Sequence, residues 1–185
     1  MGPVNVLDCR SPEEFRRWLE ENHSTQKECW VNCKRGKIEE GEFSYVDAVY
    51  VALSFGWIDS THAKIDGVRM QRFSPRRKNS NWTELNKERC RWLIDNDLMT
   101  ESGFRSLPDL DEEFVIDDHV LEVLKSNGEV WENFSGFPEL YRRIKISNIQ
   151  KEKNKDELDR KLANFMKSVK KGKMVGNWND SGRLQ

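Results

Sequence analysis

The sequence predicts an α+β fold: a small antiparallel sheet with packed helices over residues 1–107, a helical C-terminal part over 108–172, and a tail at 173–185. Two observations carry this. Strand-like stretches and the turn dipeptide Asp66-Gly67 all fall before residue 76. Beyond the acidic segment around Leu107-Pro108-Asp109, every apolar pattern has helical spacing. Composition sets the frame: 36% apolar and 34% charged residues in a chain of 185 require a compact core under a densely charged surface.

Ser11-Pro12-Glu13-Glu14 is a helix start, with a capping Ser, Pro at the first helical position and Glu at the third. Phe15, Trp18 and Leu19 then share one face. Glu28 to Lys34 alternates as a strand, with Cys29, Val31 and Cys33 on one side. Ser44 caps a second helix that is apolar around most of its girth and therefore central. Gly56 ends it. Strands follow at about 57–64 and 68–73, joined at Asp66-Gly67, and Pro75 stops the second. Asn81, three residues before Glu84, opens a helix to about Asn96, and Thr100 with Gly103 marks a short one. After the acidic segment, Asp117 or Asp118 caps a helix that ends at Gly128. Pro138 begins another. Leu158, Leu162, Phe165, Met166 and Val169 form the stripe of a last helix, with Gly172 beyond its end. Trp178 in the tail needs something to dock against.

Several classes of function are excluded or disfavoured. The longest apolar run, Val49 to Ile58, falls well short of the ~20 residues of a membrane span. Met1 to Arg10 lacks the basic flank and apolar stretch of a signal peptide, so a cytoplasmic address is expected. Cys9, Cys29, Cys33 and Cys90 have no second ligand pair at zinc spacing, and no metal is expected. No Walker-type loop or G-x-G-x-x-G is present, no glycine elbow surrounds any Ser, and no cofactor is expected. His23, His62 and His119 are scattered, and only His62 lies near the motifs below.

Charge is uneven although the net is −1. Val68 to Trp92 holds eight Lys/Arg against two Glu, and Pro138 to Lys173 holds twelve bases against five acids. Asp95 to Asp118 is strongly acidic and reads as a solvated linker.

The most distinctive stretch runs Phe55-Gly56-Trp57-Ile58-Asp59, then Gln71-Arg72-Phe73-Ser74-Pro75-Arg76-Arg77-Lys78, Ser80-Asn81-Trp82 and Asn86-Lys87. In this order, with Leu98-Met99-Thr100-Glu101-Ser102-Gly103 following, these motifs resemble the YdeI/OmpD-associated (bacteriocin-protection) family. Its members carry a G-W-I-D turn, an R-F-S-P-R basic loop, an S-x-W cap and an N-K pair. The resemblance spans about residues 11–172 and implies a bacterial, cytoplasmic factor linked to protection against bacteriocins or antimicrobial peptides.

Read physically, Trp57 anchors a corner and Asp59 lies on its face, while Phe73 enters the core and Arg72 faces outward toward Asp59. That pair is either a structural ion pair or part of a catalytic site. The loop of Arg76, Arg77 and Lys78, ending at Ser80 before a helix start, suits phosphate, carboxylate or an acidic partner, with Trp82 as a stacking wall and Asn86 and Lys87 beside it. The alternative is a solvated loop with Trp82 as a core plug. Three functions follow: binding of an anionic ligand or partner at the basic loop, a small-molecule enzyme around Trp57, Asp59 and Arg72, or nucleic-acid binding. The last ranks lowest, because the pI of about 6.4 is far below that of a dedicated nucleic-acid-binding domain.

Overall fold

A computed structural model describes residues 3–185. In chain order the elements are β1 (Val6–Leu7), α1 (Pro12–Asn22), β2 (Cys29–Val31), α2 (Tyr45–Ser54), β3 (Trp57–Ile65), β4 (Val68–Pro75), α3 (Glu84–Asp95), α4 (Glu101–Ser106), α5 (Asp118–Lys125), α6 (Gly128–Gly136), α7 (Glu139–Gln150) and α8 (Lys155–Lys170). A 3₁₀ turn at Asp180–Gly182 follows. The fold is α+β, as expected. The chain divides into two compact units. One holds residues 3–81 and 89–110, the other 82–88 and 111–185, so the residues of α3 are divided between them.

The first unit carries the sheet, ordered β1-β2-β4-β3. β2, β4 and β3 are antiparallel as expected. The two-residue β1 adds in parallel to β2 and makes the sheet mixed; at that length it leaves no periodicity in the sequence. Asp66 and Gly67 both adopt positive φ, as the two-residue hairpin turn requires. The strand expected at 28–34 is shorter: beyond Val31 the chain leaves the ladder, and Lys34 only bridges to Ser44.

In α1, the Ser11 hydroxyl accepts from the Glu14 N–H (3.3 Å), and Phe15 and Leu19 are fully buried. Phe15 packs on Phe73 of β4 with ring centroids 5.2 Å apart. Trp18 meets Trp57 of β3 edge-on at 5.9 Å. Phe15, Leu19, Trp57 and Phe73, withdrawn from water, each contribute roughly 1.5–3 kcal/mol. α2 is central: Ala48, Val49, Tyr50, Ala52 and Leu53 are all buried.

A bulge breaks the β3–β4 ladder. Asp59 faces Phe73 and His62 faces Gln71, so Ser60 and Thr61 stand opposite Arg72 alone. Gln71, almost fully buried, donates its amide to the freed carbonyls of Ser60 (3.3 Å) and Thr61 (3.0 Å). A buried glutamine here satisfies backbone groups that the bulge would otherwise strand.

The second unit is built around Val120, Leu124, Val130, Phe134, Tyr141, Ile146, Leu162, Phe165 and Val169. The helix expected to end at Gly128 stops at Lys125 instead, and Gly128 is the first residue of α6. The Asn127 side chain accepts from the Val130 N–H (3.1 Å), so Asn127-Gly128 is a helix start rather than a stop. The cap at the head of α3 is likewise Thr83, whose hydroxyl accepts from the Asn86 N–H (3.1 Å), and not Asn81. Residues 173–185 pack within this unit. Tyr141 accepts from the Val175 N–H (3.1 Å), Trp178 meets the Tyr141 ring at 5.6 Å, and Leu184 is buried. Among the described residues no helix is long and apolar enough to cross a membrane.

Candidate functional site

Three of the motifs singled out in the sequence, the G-W turn, the P-R loop and the Thr100–Gly103 segment, meet at the C-terminal end of α2. A helix end leaves carbonyls without intrahelical partners, and here neighbouring segments supply them. The Ser54 carbonyl accepts from the Thr100 N–H (3.0 Å) and the Thr100 hydroxyl (2.6 Å). The Phe55 carbonyl accepts from the Ser102 hydroxyl (3.1 Å), and the Gly56 carbonyl from the Arg76 N–H (2.9 Å). Two glycines make the approach possible. Gly56 has φ +74°, and a Cβ there would lie 2.9 Å from Ser106. A Cβ on Gly103 would lie 2.3 Å from the Ser54 carbonyl oxygen. The G-W turn, the P-R loop and the T-x-S-G segment are thus three walls of one corner.

That corner encloses a cleft of about 570 Å³. Phe55, Trp57, Pro75 and Leu107 give it apolar surface, and Arg76, Arg77, Lys78 and Arg105 give it charge. No carboxylate lines it. Trp57 donates its indole N–H to the His23 carbonyl (3.3 Å), which ties the end of α1 to the cleft. The His23 ring, also in the lining, donates from Nδ1 to the Leu19 carbonyl (2.8 Å) and packs on Phe55 at 5.2 Å, so its tautomer and plane are set.

The four cations differ. Arg76 is half-buried and donates to the Ser80 hydroxyl (3.4 Å); burial pulls its guanidinium down to about 10, still charged at neutral pH. Arg77 and Lys78 are exposed, with no ion-pair partner among the described residues. Arg105 is exposed and pairs with Glu101 one turn back in α4.

The sequence-predicted residues therefore separate. Trp57, Arg76, Arg77 and Lys78 line the cleft, and Ser80 supports Arg76. Phe73 is fully buried core. Asp59 and Arg72 do not pair. Asp59 stands opposite Phe73 and shares its face, whereas Arg72 points from the other face to Glu28 at 2.6 and 2.9 Å and to the Ser60 hydroxyl at 3.1 Å. Asp59 instead accepts from the Tyr45 hydroxyl (2.6 Å), whose ring carries the Arg35 guanidinium at 3.4 Å. Burial, and then the bond to Asp59, pushes the Tyr45 hydroxyl up to about 12. Of Asp59, Arg72, Trp57 and Phe73, only Trp57 lines the corner cleft.

Trp82, Asn86 and Lys87 belong to the second unit. The Trp82 carbonyl accepts from Lys151 (2.9 Å), and Lys87, buried, is paired with Glu84 (3.2 Å) and Glu112 (3.0 Å). Among the histidines, His62, the one expected near the site, is exposed on the hairpin, and His23 lines the cleft instead. Ser102, Arg105, Ser106 and Leu107 were also not legible as site residues, since they lie some thirty residues from the basic loop and only the packing of Gly103 brings them in.

The four cysteines are free and buried. Desolvation pushes Cys9 up to about 11, Cys33 and Cys90 up to about 12, and Cys29 upward as well, which keeps them protonated and inert. No group of three or more His, Cys, Asp or Glu able to hold a metal occurs among the described residues.

The fold and cleft define a small α+β protein with a basic, open-mouthed corner site. The chain belongs to the family described as Domain of unknown function (DUF8412), whose model matches residues 7–106. That stretch includes every residue lining the cleft except Leu107. No curated protein and no solved structure matches the chain.

Proposed function

We propose that this protein binds an anionic ligand in the corner cleft. The observation that supports the reading is the all-cationic lining: Arg76, Arg77, Lys78 and Arg105 stand around apolar walls with no carboxylate among them. Partial withdrawal of Arg76 from water strengthens its charge toward an incoming anion. Guanidinium groups also present the paired N–H donors that carboxylates and phosphates accept. The resemblance of the G-W-I-D turn and R-F-S-P-R loop to the YdeI/OmpD-associated family extends this to a bacterial, cytoplasmic factor in stress or bacteriocin protection, with ligand binding as its molecular activity.

The enzyme reading around Trp57, Asp59 and Arg72 has less support, because Asp59 and Arg72 are each engaged elsewhere. A nucleic-acid reading has little: in the second basic segment Arg143, Arg160 and Lys161 are held by acids of their own unit. A thermal-shift screen against anionic metabolites and short acidic peptides tests the proposal. A ligand at a hundred times its Kd adds about 2.7 kcal/mol, and the shift is expected to vanish in Arg77→Glu/Lys78→Glu. A blank across the screen, or shifts untouched by those substitutions, would refute it.

A further inference from the structure

We infer that the ligand of this cleft is an organic phosphate, a phosphate group on a part-apolar body of roughly nucleoside or aryl size, rather than a free inorganic anion or a simple carboxylate. The inference rests on the anion-binding reading above and narrows it by charge, donor geometry and volume.

Charge comes first. The lining holds four formal positive charges and no acid, and Glu101, which pairs with Arg105, lies outside it. A carboxylate brings a single negative charge and two acceptor oxygens. A phosphate monoester brings about −1.5 to −2 at neutral pH and three acceptor oxygens. Only the second matches several guanidinium and ammonium donors at once. Arg76 and Arg77, adjacent on one loop, with Lys78 beside them, offer forked and point-charge donors of the sort phosphates take.

Volume favours a ligand larger than inorganic phosphate. A phosphate group fills the space of a few waters at ~30 Å³ each, while the cleft measures about 570 Å³, within the range of small-molecule sites. The remaining space is walled in part by Pro75, which is exposed, and Leu107, which is half-buried. Phe55 and Trp57 lie behind them, nearly fully buried. Pro75 and Leu107 thus offer apolar surface that the body of an ester would cover.

The hydroxyls agree with a recognition role at the mouth rather than a nucleophilic one. Ser102 and Ser106 each donate to a backbone carbonyl, at 3.1 and 2.8 Å, leaving their lone pairs as acceptors toward the ligand body. The site is suited to hold a phosphate ester.

The test is titration calorimetry on the full chain with four probes: phenyl phosphate, adenosine 5′-monophosphate, inorganic phosphate and benzoate. At least one ester is expected to bind ten times more tightly than inorganic phosphate and benzoate. Arg77→Ala and Lys78→Ala, both at exposed positions, are expected to weaken ester binding. Leu107→Trp, which fills the apolar side, is expected to weaken the esters while leaving inorganic phosphate unchanged; Leu107→Ala provides a second reading should the larger residue unfold the corner. Ester affinity is also expected to rise from pH 5 to 7.5 as the second phosphate proton leaves near pH ~6. Equal affinity for inorganic phosphate, benzoate and the esters would overturn this inference and leave an anion cleft standing. No binding of any probe, with a blank metabolite screen, would overturn both readings. A DNA duplex titrated in the same way and bound more tightly than either ester would also overturn it.

Discussion

Thr100 holds the end of α2 from outside the helix: its N–H and its hydroxyl both donate to the Ser54 carbonyl, at 3.0 and 2.6 Å. The same hydroxyl accepts from the Gly103 N–H (3.2 Å) and so caps α4. One side chain thereby closes one helix and opens the next, and the cleft lies against that junction. Thr100→Val keeps the shape but removes the hydroxyl. It is expected to cost about 1–3 kcal/mol by stranding the carbonyl and the cap, read as a lower midpoint in urea; Thr100→Ser should recover most of the loss.

Gly103 is the tightest point of the corner, since any Cβ would fall 2.3 Å from the Ser54 oxygen. Gly103→Ala is expected to destabilise by ~1–3 kcal/mol through displaced backbone, and to weaken ligand binding by shifting Arg105 and Leu107. Gly128→Ala, at a position with open space, should leave both stability and binding nearly unchanged.

Glu101 competes with the ligand for Arg105. The pair is exposed and worth well under ~1 kcal/mol, so Glu101→Gln is expected to tighten anion binding by about two- to fivefold with little change in melting temperature. An unchanged or weaker affinity would remove Arg105 from the binding set.

Two groups of titrating residues set opposite pH limits. The Arg72 hydrogen bond, ahead of its other contacts, holds Glu28 below the usual carboxylate range. That contribution is present above the unfolded carboxylate pKa of about 4.3 and fades as acid protonates the folded group. Arg72→Gln should therefore lower stability at pH 7 by at most about 1 kcal/mol and flatten the acid limb of a melting-temperature profile.

The buried thiols act at the other end. Their folded values lie above the unfolded one of about 8.5. The folded state then keeps protons that the unfolded chain loses, and stability is expected to fall as pH rises through 8.5 toward the folded values. Melting scans at pH 7.5 and 10 check this, with a smaller fall expected in Cys33→Ala. Native thiols should also resist alkylation at pH 7.5.

Much of this was legible in the chain. Ser11, Ser44, Gly56, Asp66-Gly67 and the last amphipathic stripe announced helix starts, turns and a helix face through local chemistry, and each element lies where those residues put it. The basic loop was legible as charge. What escaped was set by tertiary geometry. The Asp59–Arg72 pair failed because the bulge and register put the two on opposite faces of β4's neighbourhood, a matter of one residue. Gly128 resembles a helix stop because glycine commonly follows a helix, whereas the Asn127 cap makes it a helix start. His23, Ser102, Arg105 and Leu107 reach the cleft only through the approach that Gly103 permits, which no spacing along the chain reveals.

The central claim is that anions bind at the Arg76 corner. A second pocket, lined in part by Lys34, Arg35 and Arg69, is also basic and serves as the comparison. The most direct measurement is the Kd of one phosphate ester, phenyl phosphate, for the wild type, for Arg76→Lys/Arg77→Ala, and for Arg35→Ala, whose guanidinium sits on Tyr45 outside the cleft lining. Each lost charge-assisted hydrogen bond is worth about 1.5–3 kcal/mol, so the cleft variant is predicted to bind at least tenfold more weakly and Arg35→Ala to match the wild type. Equal affinities for all three proteins, or a loss confined to Arg35→Ala, would contradict the account.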